Sequence, residues 1–242
     1  MTLLRSLLFS IAFFGGTFCL TIAGSVVALF APTRLLPFAV AWARLGLWSA
    51  RVLCGIRVEV SGWENLPAGV ALIASRHQSA FDTMVWFTLV PKCCYVMKKE
   101  LLRIPLMGRL MSGSGMIVVD REGGARTIRA LVTEGKRAAR EGKQIVIFPE
   151  GTRADPGAML PLQPGVAALA AVTGLPVVPV ITDSGRCWGR RAFHKYPGTI
   201  HIVIRPAIPP GLKRDALMQR LRQELETEIP DLDRFVDNSV GR

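Results

Sequence analysis

The chain has 242 residues, of which half are hydrophobic, and lysine plus arginine outnumber aspartate plus glutamate by 30 to 18. This length suits one ordinary domain with a short appendage, and the net charge of +12 suits a polyanion: a nucleic acid, an anionic membrane surface or a phosphorylated substrate. The five cysteines are odd in number and form no CxxC pair, so the sequence indicates neither a disulfide framework nor a zinc site.

The N-terminal segment is uncharged between Arg5 and Arg34 and is mostly apolar. A bilayer span needs about 20 apolar residues, and the apolar core of a secretory signal is shorter, so the segment favours a membrane-embedded helix or hairpin over a cleaved leader. The double glycine at 15–16 allows a bend. Arginines follow the segment at 34, 44 and 51, and the positive-inside rule then predicts an inner-membrane protein whose downstream part is cytoplasmic.

Residues 35–55 carry only Arg44 and Arg51 as charged groups, and seven-residue spacing places both on one helical face. Trp42 and Trp48 are amphipathic anchors near that face, which predicts a helix lying at the membrane surface. An ordinary buried helix with one polar stripe is the alternative. We assign residues 1–54 to membrane-anchoring helices and residues 55–242 to a separate domain.

The second domain shows short β-rich runs alternating with helical patterns. Strands are predicted at 56–62, 70–75, 94–98, 116–120, 144–150, 176–182 and 199–208, and helices at 82–90, 124–142, 165–174 and 213–229. This alternation predicts an α/β fold with a mostly buried central sheet flanked by helices. In such folds, sites gather at the carboxyl ends of strands, and charged residues follow three of these runs.

The first polar cluster is RHQSAFD, residues 76–82, which follows the strand at 70–75. On a regular helix, His77 and Asp82 would point about 140° apart, so they can meet only if the conformation changes between them. Ser79 and Asp82 have the spacing of a capping box, which predicts a helix beginning at Ser79 and leaves His77 in the preceding loop. Asp82 could then orient the imidazole as a general base. Alternatively, Asp82 only caps its helix and His77 is a satisfied loop histidine.

A working His–Asp pair needs a substrate, and the chain offers no nucleophile elbow of the form G-x-S-x-G. The nearest segment, SGSG at 112–115, does not match it and follows no apolar strand. The pair would therefore deprotonate a substrate hydroxyl directly, without a covalent enzyme intermediate.

Two further clusters, Asp120–Arg121 and PEGTR at 149–153, follow the strands at 116–120 and 144–150. Arg121 and Arg153 at neighbouring strand ends could clamp one phosphate, because a guanidinium fork bonds two oxygens at once. Gly151 would allow close backbone approach. Glu150 fits an anion site only if it positions an arginine or bonds a substrate hydroxyl. Ordinary structural ion pairs are the alternative for both clusters.

Together these segments resemble the glycerolipid acyltransferases. RHQSAFD is similar to the H-x-x-x-x-D motif of that family, and GMIVVDR (115–121), FPEGTR (148–153) and VVPV (177–180) are similar to its second, third and fourth blocks, in the same order. Within the family, the resemblance is to the bacterial enzymes that acylate 1-acyl-sn-glycerol 3-phosphate. It covers roughly residues 55–210.

The resemblance implies transfer of an acyl group from acyl-CoA or acyl carrier protein to the 2-hydroxyl of lysophosphatidic acid, giving phosphatidic acid. It implies that His77 is the general base and Asp82 its partner, and that the acceptor's glycerol phosphate is held by Arg121, Glu150, Gly151 and Arg153. It implies no cofactor or metal beyond the acyl donor. Membrane lipids and acyl carrier protein are the expected partners.

Two departures from the family and two alternative functions accompany this assignment. Arg76 stands where the family often has asparagine, adding positive charge beside the base, and LQPG (162–165) stands where basic residues usually precede a glycine. A different lyso-lipid or an ornithine-type lipid is the alternative acceptor. A nucleic-acid-binding protein is a poor alternative, since the chain has only two tyrosines and no interleaved aromatic and basic platform.

Overall fold

The computed structural model describes residues 1–31, 34–104, 107–120 and 123–227, and its centre is a seven-stranded sheet. The strands are β1 Ile56–Ser61, β2 Leu72–Ser75, β3 Cys93–Lys98, β4 Ile117–Val119, β5 Gln144–Ile147, β6 Val177–Thr182 and β7 Gly198–Ile204. Their order is β1-β7-β6-β2-β5-β3-β4. Neighbours pair in parallel except β6 and β7, so β1 and β7 run against the other five.

Helices cover both faces of this sheet, as predicted. They are α1 Thr2–Phe30, α2 Leu36–Cys54, α3 Asp82–Leu89, α4 Met107–Gly113, α5 Ala125–Arg140, α6 Gly165–Thr173, α7 Ser184–Cys187 and α8 Arg214–Leu225. One hydrophobic cluster joins the sheet to α1, α2 and α3, and a second joins it to α5, α6 and α8. The residues of β2, β5 and β6 are all buried, which explains their continuous apolar sequences.

Helix α1 is continuous, so the double glycine does not interrupt it. Phe9 and Phe13 are buried and pack edge-on against Trp188 of the α/β domain. The hydrophobic core is therefore shared across residue 54, and the domain division proposed there stays a prediction.

The opposite side of α1 is an apolar stripe that the protein leaves uncovered. In the part of the chain that the structure describes, α1 is the helix long and apolar enough to cross a membrane by length and composition. Spacings of three and four residues place the exposed side chains on one side: Leu3, Leu7, Ile11, Phe14, Phe18, Ile22, Val26 and Leu29. Such a long exposed apolar surface indicates membrane association.

Helix α2 corrects one of the two predicted tryptophan anchors. Arg44, Trp48 and Arg51 are exposed together, in agreement with a polar and amphipathic outer face. Trp42 instead turns inward, where its indole N–H donates to Thr17 Oγ1 of α1 at 3.1 Å. It therefore joins the two N-terminal helices to each other rather than anchoring the protein at a membrane surface.

Some predicted boundaries were wrong at the strand ends. Strand β5 ends at Ile147 rather than 150, so Phe148, Pro149 and Glu150 leave the sheet and enter the site region. Strand β7 ends at Ile204, and Ile208 makes only an isolated bridge with Val177. Helices α4 and α7 were not predicted, because short helices give too little periodic signal.

Candidate active site

The carboxylate of Asp82 organises the loop that follows β2. One oxygen, Oδ2, accepts hydrogen bonds from the backbone N–H groups of Gln78 at 2.7 Å and Ser79 at 2.8 Å, and it lies 3.1 Å from Nδ1 of His77. The sequence left two alternatives for Asp82, a helix cap or a partner of the imidazole. The structure assigns both contacts to the same oxygen.

The capping box predicted that helix α3 begins at Ser79, but the helix begins at Asp82. Half of that box is nevertheless present, since Asp82 bonds back to the Ser79 N–H, and Ser79 Oγ accepts from the Phe81 N–H at 3.2 Å. The intervening residues form turns rather than helix. This change of conformation brings two side chains five positions apart to one side of the chain.

The imidazole of His77 is held on a second side by an aromatic ring. Phe148, directly after β5, stacks on it with ring centroids 4.1 Å apart and planes at 16°. Tyr95 of β3 stacks behind Phe148 and donates its hydroxyl to the Asp82 carbonyl at 3.1 Å. Burial raises the pKa of Tyr95 well above its usual value, which keeps this hydroxyl a neutral donor. Sequence reasoning missed Phe148 and Tyr95, because the strand order that brings them together is not visible in the sequence.

Glu150 lies beneath the His77 loop and is fully buried. Its Oε1 lies 3.3 Å from Nη2 of Arg76, and its Oε2 accepts the backbone N–H of His77 at 3.2 Å. Arg76 also donates to the carbonyl of Ala158. The predicted extra positive charge beside the base is thus neutralised by Glu150, and of the two roles left open for Glu150, these contacts favour positioning an arginine.

Gly151 and Arg153 lie beside the His77–Asp82 pair. Gly151 has a φ of 72°, in the region that favours glycine, and this turns the chain sharply after Glu150. Burial lowers the pKa of Arg153, while the charge of Asp82 acts in the opposite direction. Arg121 lies outside the described residues. Asp120 lies 3.2 Å from Lys99 Nζ, and its strand β4 is separated from β5 by β3, so the two cluster-bearing strands are not neighbours.

A cavity of about 460 Å³ joins these residues to the N-terminal helices. Its polar part is formed by His77, Gly151, Thr152, Arg153, Arg190 and Arg191. Its apolar part is formed by side chains of α1, α2, α3, α4 and β3, including Leu20, Phe38, Trp42, Phe87, Leu110 and Met111. The site therefore combines a His–Asp pair, cationic groups and a long apolar wall.

Known proteins are similar to this chain in sequence. Residues 57–183 match the family described as Acyltransferase. The chain is 35% identical over 190 residues to the 1-acyl-sn-glycerol-3-phosphate acyltransferase of Pseudomonas aeruginosa, an alignment that covers 78% of this chain and 74% of that protein. The chain belongs to the acyltransferase family. This acyltransferase is also 30% identical over 198 residues to the human 1-acyl-sn-glycerol-3-phosphate acyltransferase alpha, covering 78% of this chain and 69% of that one.

A solved structure supports the same fold. The crystal structure of the 1-acyl-sn-glycerophosphate (LPA) acyltransferase PlsC from Thermotoga maritima aligns to this acyltransferase with a TM-score of 0.74 at 22% sequence identity. The alignment covers 93% of this chain and 95% of that one, so the N-terminal helices are part of the common fold.

Proposed function

We propose that this acyltransferase moves a fatty acyl group from acyl-CoA or acyl carrier protein to the 2-hydroxyl of lysophosphatidic acid, forming phosphatidic acid. The observation that carries the proposal is the His77–Asp82 pair, which opens onto a cavity with cationic groups at one part and apolar walls at the other. The acceptor is an anionic amphiphile, and the cavity matches both halves of such a molecule. The names of the bacterial and human relatives support the same substrate.

The His77–Asp82 pair supplies the proton transfers. A carboxylate on Nδ1 favours the tautomer with its proton on that nitrogen, so Nε2 offers a lone pair to the cavity. Nε2 takes the proton of the acceptor hydroxyl as its oxygen attacks the thioester carbon. The tetrahedral intermediate then collapses, the C–S bond breaks, and the thiolate leaves with the proton returned by the imidazolium. An oxygen ester and a free thiol result.

Binding of the acceptor's glycerol phosphate falls to Gly151 and Arg153, with Arg121 expected to join them from the family resemblance. Arg153 is suited to this because its guanidinium is partly buried beside the base, where a bound phosphate would offset the cost of burial. For Glu150 we propose a positioning role, since its carboxylate is occupied by Arg76 and the His77 backbone.

The acyl donor needs no further activation, because a thioester carbonyl is already a good electrophile. The proposal accordingly includes no cofactor or metal beyond the donor. The apolar cavity walls suit a fatty chain. With the stripe of α1 in the lipid, a membrane-dissolved acceptor would reach His77 without crossing water. We place the protein at the inner membrane with its α/β domain on the cytoplasmic face, following the arginines at 34, 44 and 51.

A radiolabelled acyl-transfer assay on the purified protein tests this function. Acyl-CoA and acyl carrier protein serve in turn as donors, and lysophosphatidic acid, glycerol 3-phosphate, lysophosphatidylcholine and a lyso-ornithine lipid as acceptors. We expect product with lysophosphatidic acid and none from His77→Ala. Acylation of another acceptor while lysophosphatidic acid stays unmodified would overturn the substrate assignment.

A further inference from the structure

Two exposed arginines at the cavity lie outside the four sequence blocks that resemble the family. Arg190 and Arg191 occur in the loop between α7 and β7, beyond residue 183, where the family match ends. Both line the cavity that contains His77 and Arg153. Because both are also solvent-exposed, they mark its opening. We name Arg153, Arg190 and Arg191 the cationic rim.

The members of the cationic rim crowd one another. An Nη1 N–H of Arg190 donates to the backbone carbonyl of Arg153 at 3.4 Å. Burial is the largest cause of the lowered pKa of Arg153, and the charges of Arg190 and Arg191 both add to that lowering. Among residues 1–31, 34–104, 107–120 and 123–227, no carboxylate lies within ion-pairing distance of Arg190 or Arg191. Like charges collected in this way favour a bound anion.

The loop that carries the two arginines is held firmly. The backbone N–H of Lys195 donates to Ser6 Oγ of α1 at 2.9 Å. The Lys195 ammonium donates to the carbonyls of Ala192 and Phe193, each at 2.8 Å, and lies 5.5 Å from the Phe9 ring centroid. We call these contacts of Lys195 the latch. Since Lys195 is only 5% exposed, the latch fixes the loop to the N-terminal helix.

The backbone at Arg191 is strained. Its φ of 54° lies in the left-handed region, which is unfavourable for a residue with a side chain. Residues held in such conformations cluster at ligand sites, where the surrounding structure maintains the strain. At this position the strained conformation is combined with a side chain that lines the cavity.

We infer that Arg190 and Arg191 bind a substrate phosphate group together with Arg153. The inference rests on the proposed function for the identity of the substrates. Both substrates carry phosphate: the acceptor has a phosphomonoester two carbons from its reacting hydroxyl, and coenzyme A carries phosphates at the far end of its pantetheine arm. The cationic rim and His77 line the same cavity, so the rim lies near the base, and this favours the acceptor.

Steady-state kinetics of Arg190→Gln/Arg191→Gln test the inference. We expect the KM for lysophosphatidic acid to rise at least tenfold while kcat changes less, because a phosphate contact need not disturb the base. The matched control is Lys213→Gln/Arg214→Gln, an adjacent exposed cationic pair at α8 on the other face of the sheet, which lowers the net charge equally. The control should keep the wild-type KM.

A second arm identifies the source of the phosphate. An increase in the KM for acyl-CoA, without one for acyl-pantetheine, would assign the rim to the donor's nucleotide phosphates instead. Arg190→Lys/Arg191→Lys should recover part of the affinity, since charge remains but the planar fork is lost. KM values for acceptor and donor both within twofold of the control variant would overturn the inference. So would a loss of kcat and melting temperature with unchanged KM, which indicates a structural loop.

Equilibrium binding separates failure of this inference from failure of the proposed function. Calorimetric titration of glycerol 3-phosphate into His77→Ala should show weak binding that weakens at least tenfold when the Arg190→Gln/Arg191→Gln changes are added. If wild-type protein does not acylate lysophosphatidic acid, this titration still decides whether the rim binds phosphate. Equal binding by both proteins would end the proposal even if the enzyme acylates lysophosphatidic acid.

Discussion

Within the described part of the chain, two His–Asp pairs have nearly the same local geometry. His77 Nδ1 lies 3.1 Å from Asp82 Oδ2, and His201 Nδ1 lies 2.9 Å from Asp183 Oδ2. Both aspartates are buried, and both also accept backbone N–H groups: Asp82 from the loop before α3, and Asp183 from His201 itself at 2.7 Å. A distance criterion alone would select both pairs.

The surroundings of the two pairs differ. His77 stacks on Phe148 and lines the cavity beside Arg153. His201 lies within β7, and its Nε2 faces Glu59 of the adjacent strand at 4.0 Å, so its second nitrogen meets another acid on the sheet. A base needs a free nitrogen directed at a substrate space, and of the two histidines it is His77 that lines the cavity. Both pairs therefore have the same hydrogen bond, and what distinguishes His77 as the candidate base is its place at the cavity.

The sharpest test of this comparison is to remove each imidazole in turn. We expect His77→Ala to lower kcat for acyl transfer about 10³-fold or more, because general-base catalysis typically contributes 10²–10⁴-fold and the alanine offers no substitute. His201→Ala should retain turnover within a few-fold of wild type and lose some thermal stability. Radiolabelled product formation and circular-dichroism melting measure the two effects. Equal loss of turnover in both variants would show that the cavity does not distinguish the pairs.

The acids nearest each pair provide the second test. Glu150→Ala leaves the guanidinium of Arg76 buried without its carboxylate, which we expect to destabilise the fold by about 3–5 kcal/mol. Glu59 has a side chain that is 71% exposed, so Glu59→Ala should cost about 0–1 kcal/mol. Urea denaturation gives both free energies of unfolding. If the two variants lost similar stability, Glu150 would not be the support of the His77 loop that its contacts indicate.

The aspartates themselves give the third test. Asp82→Asn keeps an oxygen that can accept from Gln78 and Ser79 but removes the carboxylate charge beside the imidazole, so we expect kcat to fall about 100-fold with little change in melting temperature. Asp183→Asn makes the same chemical change away from the cavity. Its expected effect is a small loss of stability with near-normal turnover. A parallel drop in kcat for both variants would contradict the assignment of catalysis to one pair.

Much of the fold could be predicted from the sequence, because alternating apolar runs and helical periods reflect burial directly. The loop position of His77 followed from the capping-box spacing of Ser79 and Asp82, although helix α3 begins at Asp82 itself. Strand direction did not follow: an apolar strand such as β7 reads the same whether its neighbour β6 is parallel or antiparallel to it. The Arg76–Glu150 ion pair was likewise hidden, because it joins residues whose contact depends on the pairing of β2 with β5.

The cationic rim shows a different limit. Arg153 could be found because it stands in a motif, whereas Arg190 and Arg191 belong to an irregular loop with no periodic pattern. Only the latch at Lys195 and the path of the chain bring them to the cavity. A tandem of arginines at 190–191 was the available signal, and a tandem of charges is most often a solvated surface. Only the three-dimensional structure could distinguish a solvated arginine pair from one that lines a cavity.

The smallest expected effect concerns the ring that supports the imidazole. Phe148→Leu keeps an apolar side chain but removes the face that stacks on His77 at 4.1 Å. An aromatic pair contributes about 0.5–1.5 kcal/mol beyond burial, so if the stack orients the base, kcat should fall about 2- to 12-fold. Phe148→Tyr, which keeps the ring, should recover most of that loss. A leucine variant with unchanged kcat but lower melting temperature would mean that Asp82 alone orients the imidazole and that Phe148 only fills space behind it.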